Sequence, residues 1–254
     1  VARTLGIEAA GIFAFLQQLV MFIGRYLPAN LLFNIIRPML ISRYVAGDIN
    51  VVKQGMALLW KSNLIIITAY MAMIGIAGDE LMSLASNGQF PDIGMTMLIM
   101  VLGLGASSQR QLVIMVMQIF PYTRQLSYFS ILTVLTPLAV IVGSDWGLLG
   151  VASGIVLSTW LMSCLILFWL NRQVGRINLD WFGSICGLGL AILLASVGWE
   201  VKSEFGPWWA LSIILLAYGP GLVLVKPLNS LDMALLNRGL RKYAHFLTFL
   251  ARKG

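Results

Sequence analysis

The sequence predicts an all-α membrane protein of about seven transmembrane helices. Three observations carry this. Of 254 residues, 59% are hydrophobic and only 11% charged, with a mean hydropathy of +0.88; soluble domains carry roughly 25% charged residues. Seven stretches approach the ~20 apolar residues that a helix needs to cross a bilayer core. The connectors between those stretches alternate in charge.

The first stretch runs from about Ala10 to Leu40 and is interrupted by Arg25 and Pro28. The second runs from about Ser62 to Ala77, after an amphipathic lead-in from Val51. The third covers about Ile93 to Met117, the fourth Leu126 to Val142 and the fifth Leu148 to Leu170. The sixth is about Trp181 to Trp199 and the seventh about Trp208 to Val225. Turn residues punctuate them: Asn87-Gly88, Phe90-Pro91, Gly143 to Gly147, and Gly206-Pro207. Trp146, Trp181, Trp199, Trp208 and Trp209 lie at the expected ends, where amphipathic rings anchor at the interface.

Basic connectors hold Arg37, Arg43, Lys53 and Lys61, then Arg124, then Arg172 and Arg176, then the tail with Lys226, Arg238, Arg241, Lys242, Arg252 and Lys253. The alternate connectors hold Asp79, Glu80 and Asp92, then Asp145, then Glu200 and Glu204, with Lys202 their one basic residue. The positive-inside rule then puts the N-terminus outside and the basic tail in the cytoplasm. The tail from Leu231 to Leu250 has apolar residues at helical spacing between basic ones, a pattern for lying on the inner leaflet or for a solvated tail. The formal net charge of +7 is thereby assigned to membrane orientation. No aromatic residues interleave with a basic groove, so nucleic acid is not an expected partner.

Cys164 and Cys186 lie inside apolar runs without CxxC spacing and read as small apolar filler. His245 is the single histidine. No metal-ligand spacing, phosphate-cradling loop or nucleophile with a base is evident, so neither a cofactor nor enzymatic chemistry is expected. The chain begins at Val1 without a charged leader before a short apolar stretch, which reads as a cut through a longer sequence.

Charges at membrane depth cost several kcal/mol and usually face a bundle interior or a wet cavity. Arg25 in the first stretch and Arg110 in the third are of this kind. Gln18 sits seven residues before Arg25, about two turns, and so shares its face; Asn30 and Asn34 extend the polar character. Ser107 to Gln111 forms a polar break in the third stretch, and Gln111 shares a face with Gln118. The candidate substrate-binding set is Arg25, Arg110, Gln18, Gln111, Asn30 and Asn34, a cationic cavity for an anionic headgroup or sugar hydroxyls. The competing explanation is interhelical hydrogen bonding with snorkelling arginines. Pro28, Pro38 and Pro137, with Gly103, Gly105, Gly187 and Gly189, indicate bent or closely packed helices.

The segment Leu5 to Phe13 (LGIEAAGIF) resembles the "LG…AGxY/F" segment of polysaccharide flippases, a branch of the multidrug/oligosaccharidyl-lipid/polysaccharide flippase superfamily. Leu32 to Arg43 (LFNIIRPMLISR) is similar to that family's helix end, where a Pro and a Ser-Arg pair precede a cytoplasmic amphipathic segment. Trp146 to Thr159 (WGLLGVASGIVLST) resembles its outer turn, G-x-x-G-x-A. The likeness spans about residues 5 to 172; the last two helices match in hydropathy alone. It implies two six-helix bundles with two further helices, of which this chain is the C-terminal bundle. Residues 1–172 would be that bundle with its first helix missing or cut, 173–229 the two additional helices, and 230–254 the basic cytoplasmic tail. It also implies transport of undecaprenyl-linked oligosaccharide across the bacterial inner membrane, for lipopolysaccharide, capsule or exopolysaccharide assembly. The implied partners are the lipid-linked oligosaccharide, membrane lipids, an N-terminal bundle, and a glycan polymerase or glycosyltransferases. A cation-coupled antiporter of the same superfamily is the rival reading, though this segment offers no carboxylate at clear mid-membrane depth. A membrane enzyme of glycan assembly is a third, disfavoured by short outer loops and the absent site chemistry.

Overall fold

The computed structural model describes residues 6–31, 33–175, 177, 179, 181–229, 232 and 233, without the side chains of 29, 31 and 33–35. Among these residues every regular element is helical and no strand occurs. In chain order the helices are α1 Ile7–Arg25, α2 Pro28–Leu31, α3 Phe33–Val45, α4 Ile49–Ala85, α5 Gly94–Ile119, α6 Thr123–Ser130, α7 Leu135–Gly143, α8 Gly147–Val174, α9 Trp181–Phe205 and α10 Pro207–Val225.

Among the described residues, six helical stretches are long and apolar enough to cross a membrane: Ile7–Arg25, Ile49–Ala85, Gly94–Ile119, Thr123–Val174, Trp181–Phe205 and Pro207–Val225. The fourth, of 52 residues, folds back on itself. A 3₁₀ turn at Ser144–Trp146 ends at Gly147, whose φ of +67° suits glycine alone among common residues. Beyond it α8 returns along α7. The two backbones come so close that a Cβ on Gly143 or Gly150 would collide with the other's carbonyl. Lipid exerts no hydrophobic drive between helices, so small residues that permit such approach are what hold them together. This hairpin supplies the fourth and fifth expected spans. The chain is an all-α, multi-pass membrane protein.

Three expected boundaries differ. The sixth stretch runs on past Trp199 to Phe205, so Glu200, Lys202 and Glu204 lie in α9 and not in a connector. The first stretch does not run unbroken to Leu40: α1 ends at Arg25, and Pro28 starts a new helix because its ring fills the position of a backbone donor. The second joins its lead-in and continues past Ala77, so Asp79 and Glu80 lie in the last turns of α4 and not in a connector. Ala77 itself is non-helical, with φ −119° and ψ 26°.

The chain forms two compact units, Val1–Asn34 with Gly78–Arg176, and Ile35–Ala77 with Ile177–Gly254. In the first unit α5 and α7 both pack along α8, and α1 lies against α5. Ser163 on α8 donates to the Ala106 carbonyl at 3.1 Å and Trp160 to Leu102 at 3.3 Å. Asp79 caps α5 by accepting the Gly94 amide at 2.8 Å.

In the second unit α9 and α10 pair, and Ala72, Ile76, Ala191, Leu194, Ala210 and Ile214 form a shared core with the first part of α4. Tyr218 donates to the Ile65 carbonyl at 2.6 Å and meets the Thr68 hydroxyl at 3.0 Å. Lys61, placed in a basic connector from the sequence, lies instead within α4, is 1% exposed and pairs with Asp232 at 2.5 Å. It also donates to the Pro227 carbonyl at 3.2 Å. Burying a lone ammonium would be prohibitive, and the carboxylate and carbonyl replace its water. Gly183 makes room for the Lys61 stem and the Pro227 carbonyl. Asn229 and Asp232 exchange side-chain-to-amide bonds at 2.8 and 3.0 Å, the reciprocal arrangement of a helix start. The remaining tail charges, Arg238 to Lys253 with His245, lie outside the described residues.

Candidate functional site

The candidate site lies on α1 and α5 of the first unit, two helices that run side by side in the same direction. Phe15 meets Phe90, just before α5, with ring centroids 5.7 Å apart. Further along, a Cβ on Gly24 would touch Leu104 at 3.1 Å. Arg25 is therefore level with about residue 105, and Arg110 lies roughly 7–9 Å further along the axis at 1.5 Å per residue.

On α1, Leu16 and Gly24 are buried while Gly11, Ala14, Gln17, Gln18, Met21, Phe22 and Arg25 are exposed. The spacing of three and four residues makes these one face. Gln18 and Arg25 share it, as their spacing predicts. On α5 the polar break divides by face: Ser108 and Gln109 are buried, Arg110 is half-buried, and Ser107, Gln111 and Gln118 are exposed. Gln109 was not among the sequence candidates; its neighbour Gln111 was, and the face that each occupies is what separates them. Neither Arg25 nor Arg110 forms an ion pair among the described residues.

Asn30 has a definite structural task. Pro28 has no N–H, so the Gly24 carbonyl lacks the amide that a continuous helix would bring to it. The Asn30 side-chain amide donates to that oxygen at 2.6 Å, beside the Leu27 amide at 3.2 Å. The amide nitrogen of Asn30 is thus committed to the helix break. Asn34 falls in α3, and its side chain lies outside the described residues.

The break leaves Arg25 at the end of α1 while the apolar run continues through eleven uncharged residues, Tyr26 to Ile36, before Arg37. A guanidinium at an interrupted helix offers planar, bidentate hydrogen bonding to a phosphate, and exposed glutamines nearby offer both donors and acceptors. No cluster of three or more His, Cys, Asp or Glu side chains among the described residues would hold a metal. Comparison with protein-family models, with curated proteins and with solved structures returned no match.

Proposed function

We propose that this protein is a flippase that moves undecaprenyl-linked oligosaccharide across the bacterial inner membrane, by alternating access and without covalent chemistry. The observation that carries this reading is the exposed, cationic face at the α1 break. Arg25 and Gln18 share that face, and Arg110 follows within about two turns on the adjoining α5. Fixed positive charge without a neutralising acid suits a pyrophosphate, and amide side chains suit sugar hydroxyls. The segments that resemble polysaccharide flippases give the same direction. In this reading a second bundle supplies the opposite wall of the cavity, the N-terminus of the segment is periplasmic, and the basic tail is cytoplasmic, where the connector charges favour it.

The antiporter reading asks for an embedded carboxylate whose charge is exchanged during transport. The buried Asp232 is neutralised by Lys61 and does not meet that need.

The test is export in cells. Arg25→Ala with Arg110→Ala in the full-length protein is expected to abolish surface glycan while membrane expression persists. Glycan export at the native level in the double variant would remove both arginines from the mechanism.

A further inference from the structure

One residue of α4 stands between two differently anchored segments. Up to Ala77 the helix belongs to the second unit, and from Gly78 it belongs to the first. Ala77, at that junction, is also the residue that leaves helical geometry.

The side before the junction is held by the second unit in two ways. The Ile76 side chain lies in a core with Ala191, Leu194 and Ile214. It approaches α9 so closely that a Cβ on Gly198 would displace its Cδ1. The Ile76 carbonyl receives the Lys202 ammonium at 2.6 Å. The side after the junction is held by the first unit. Gly94, at the start of α5, lies against the backbone of Gly78 and Asp79, where a Cβ would collide. Its amide donates to the Asp79 carboxylate at 2.8 Å. Each of these attachments stays within its own unit.

Helix kinks arise at proline, at glycine, at a bulge, or where a side chain enters the hydrogen-bond ladder. No proline lies in α4, and Gly75 and Gly78 flank Ala77. Glycine weakens helical order through its backbone freedom, so the helix itself does not set the angle here. Small residues between separately packed bodies are the usual make-up of a hinge. A hinge in a membrane protein must also keep its carbonyls met. The ladder partner of the Ile76 carbonyl in a regular helix would be the Glu80 amide, on the far side of the junction. Lys202 lies on the near side with Ile76, so its bond does not depend on the angle at Ala77.

We infer that Ala77 is a hinge at which the two parts of α4 change their angle, and that Lys202 stabilises the bent form. The inference is independent of the flippase reading.

The experiment places nitroxides at Leu157→Cys on α8 and Leu216→Cys on α10, exposed positions with one in each unit. Cys164 and Cys186 are first replaced by alanine. A control pair, Ile49→Cys with Leu216→Cys, lies wholly in the second unit and reports its fold. Pulsed electron resonance on the full-length protein in lipid nanodiscs is expected to show a major and a minor distance for the first pair. Lys202→Met is expected to raise the ratio of minor to major about tenfold, the loss of one charge-assisted hydrogen bond. Lys202→Arg is expected to keep the native ratio, and the control pair to stay constant throughout. A single distance in the native protein that persists in the methionine variant makes the bend a fixed kink and overturns the hinge. Two distances whose ratio the methionine variant leaves unchanged overturn the role of Lys202 alone. A shifted control pair in that variant assigns Lys202 to the fold of the second unit and likewise overturns that role.

Discussion

Asn30 shows how a polar residue in a membrane helix can be explained by one hydrogen bond. Its amide replaces the donor that Pro28 lacks, at the Gly24 carbonyl. The Leu27 amide also reaches that oxygen, so the asparagine adds a second, shorter hydrogen bond where water does not supply one. Asn30→Ala is expected to cost about 1 kcal/mol of stability. Pro28→Ala restores a backbone N–H at the position that serves Gly24, so the same asparagine change should be nearly neutral in that background. Unfolding of the two single variants and the double variant in detergent measures the coupling; an equal cost in both backgrounds would dismiss the role. The spacing of Gln18 and Arg25 was legible because helical geometry puts residues seven apart on one face. The division of labour between Gln109 and Gln111 was not, since adjacent positions in a polar run look alike until a neighbouring helix buries one of them.

At the scale of the element, α4 is the most informative. Its irregular residue, Ala77, follows Ile76, whose carbonyl receives the Lys202 ammonium at 2.6 Å. In a regular helix that oxygen accepts the amide four residues on. A charged donor on α9 thus supports the bend from outside the helix. Lys202→Met is expected to raise amide exchange at residues 78–81 by about tenfold, the loss of one charge-assisted bond. Lys202→Arg should preserve protection. Unchanged exchange in the methionine variant would mean that the bend is held by packing alone. From the sequence Lys202 was the exception to an acidic connector, and its task depends on a contact 126 residues away in the chain. The α7–α8 reversal, in contrast, was written locally in the Gly143 to Gly147 cluster, because a tight turn needs particular backbone angles and little else.

At the scale of the whole molecule, the last two helices pack with an earlier part of the chain. They share a core with the first part of α4, and Lys61 in α4 pairs with Asp232 beyond α10. A chain ending at residue 172 should therefore expose the apolar face of α4 that carries Ala72 and Ile76. Limited proteolysis is expected to cut such a chain within 49–77, whereas the full chain resists there. Equal resistance would show that α4 needs no partner from α9 and α10.

Hydropathy was enough to establish a multi-pass helical protein, because a backbone in hydrocarbon must satisfy its own hydrogen bonds and a helix of fixed rise must cover a fixed thickness. Proline and glycine marked the break after Arg25 and the hairpin, since both act through local backbone geometry. The grouping of helices into units, the burial of Lys61, the support of the α4 bend and the choice of which polar side chains stay exposed came from tertiary structure alone. Each depends on contacts between residues far apart in the chain, and in lipid those contacts are made by close packing and single polar bonds that leave no periodic trace in a sequence.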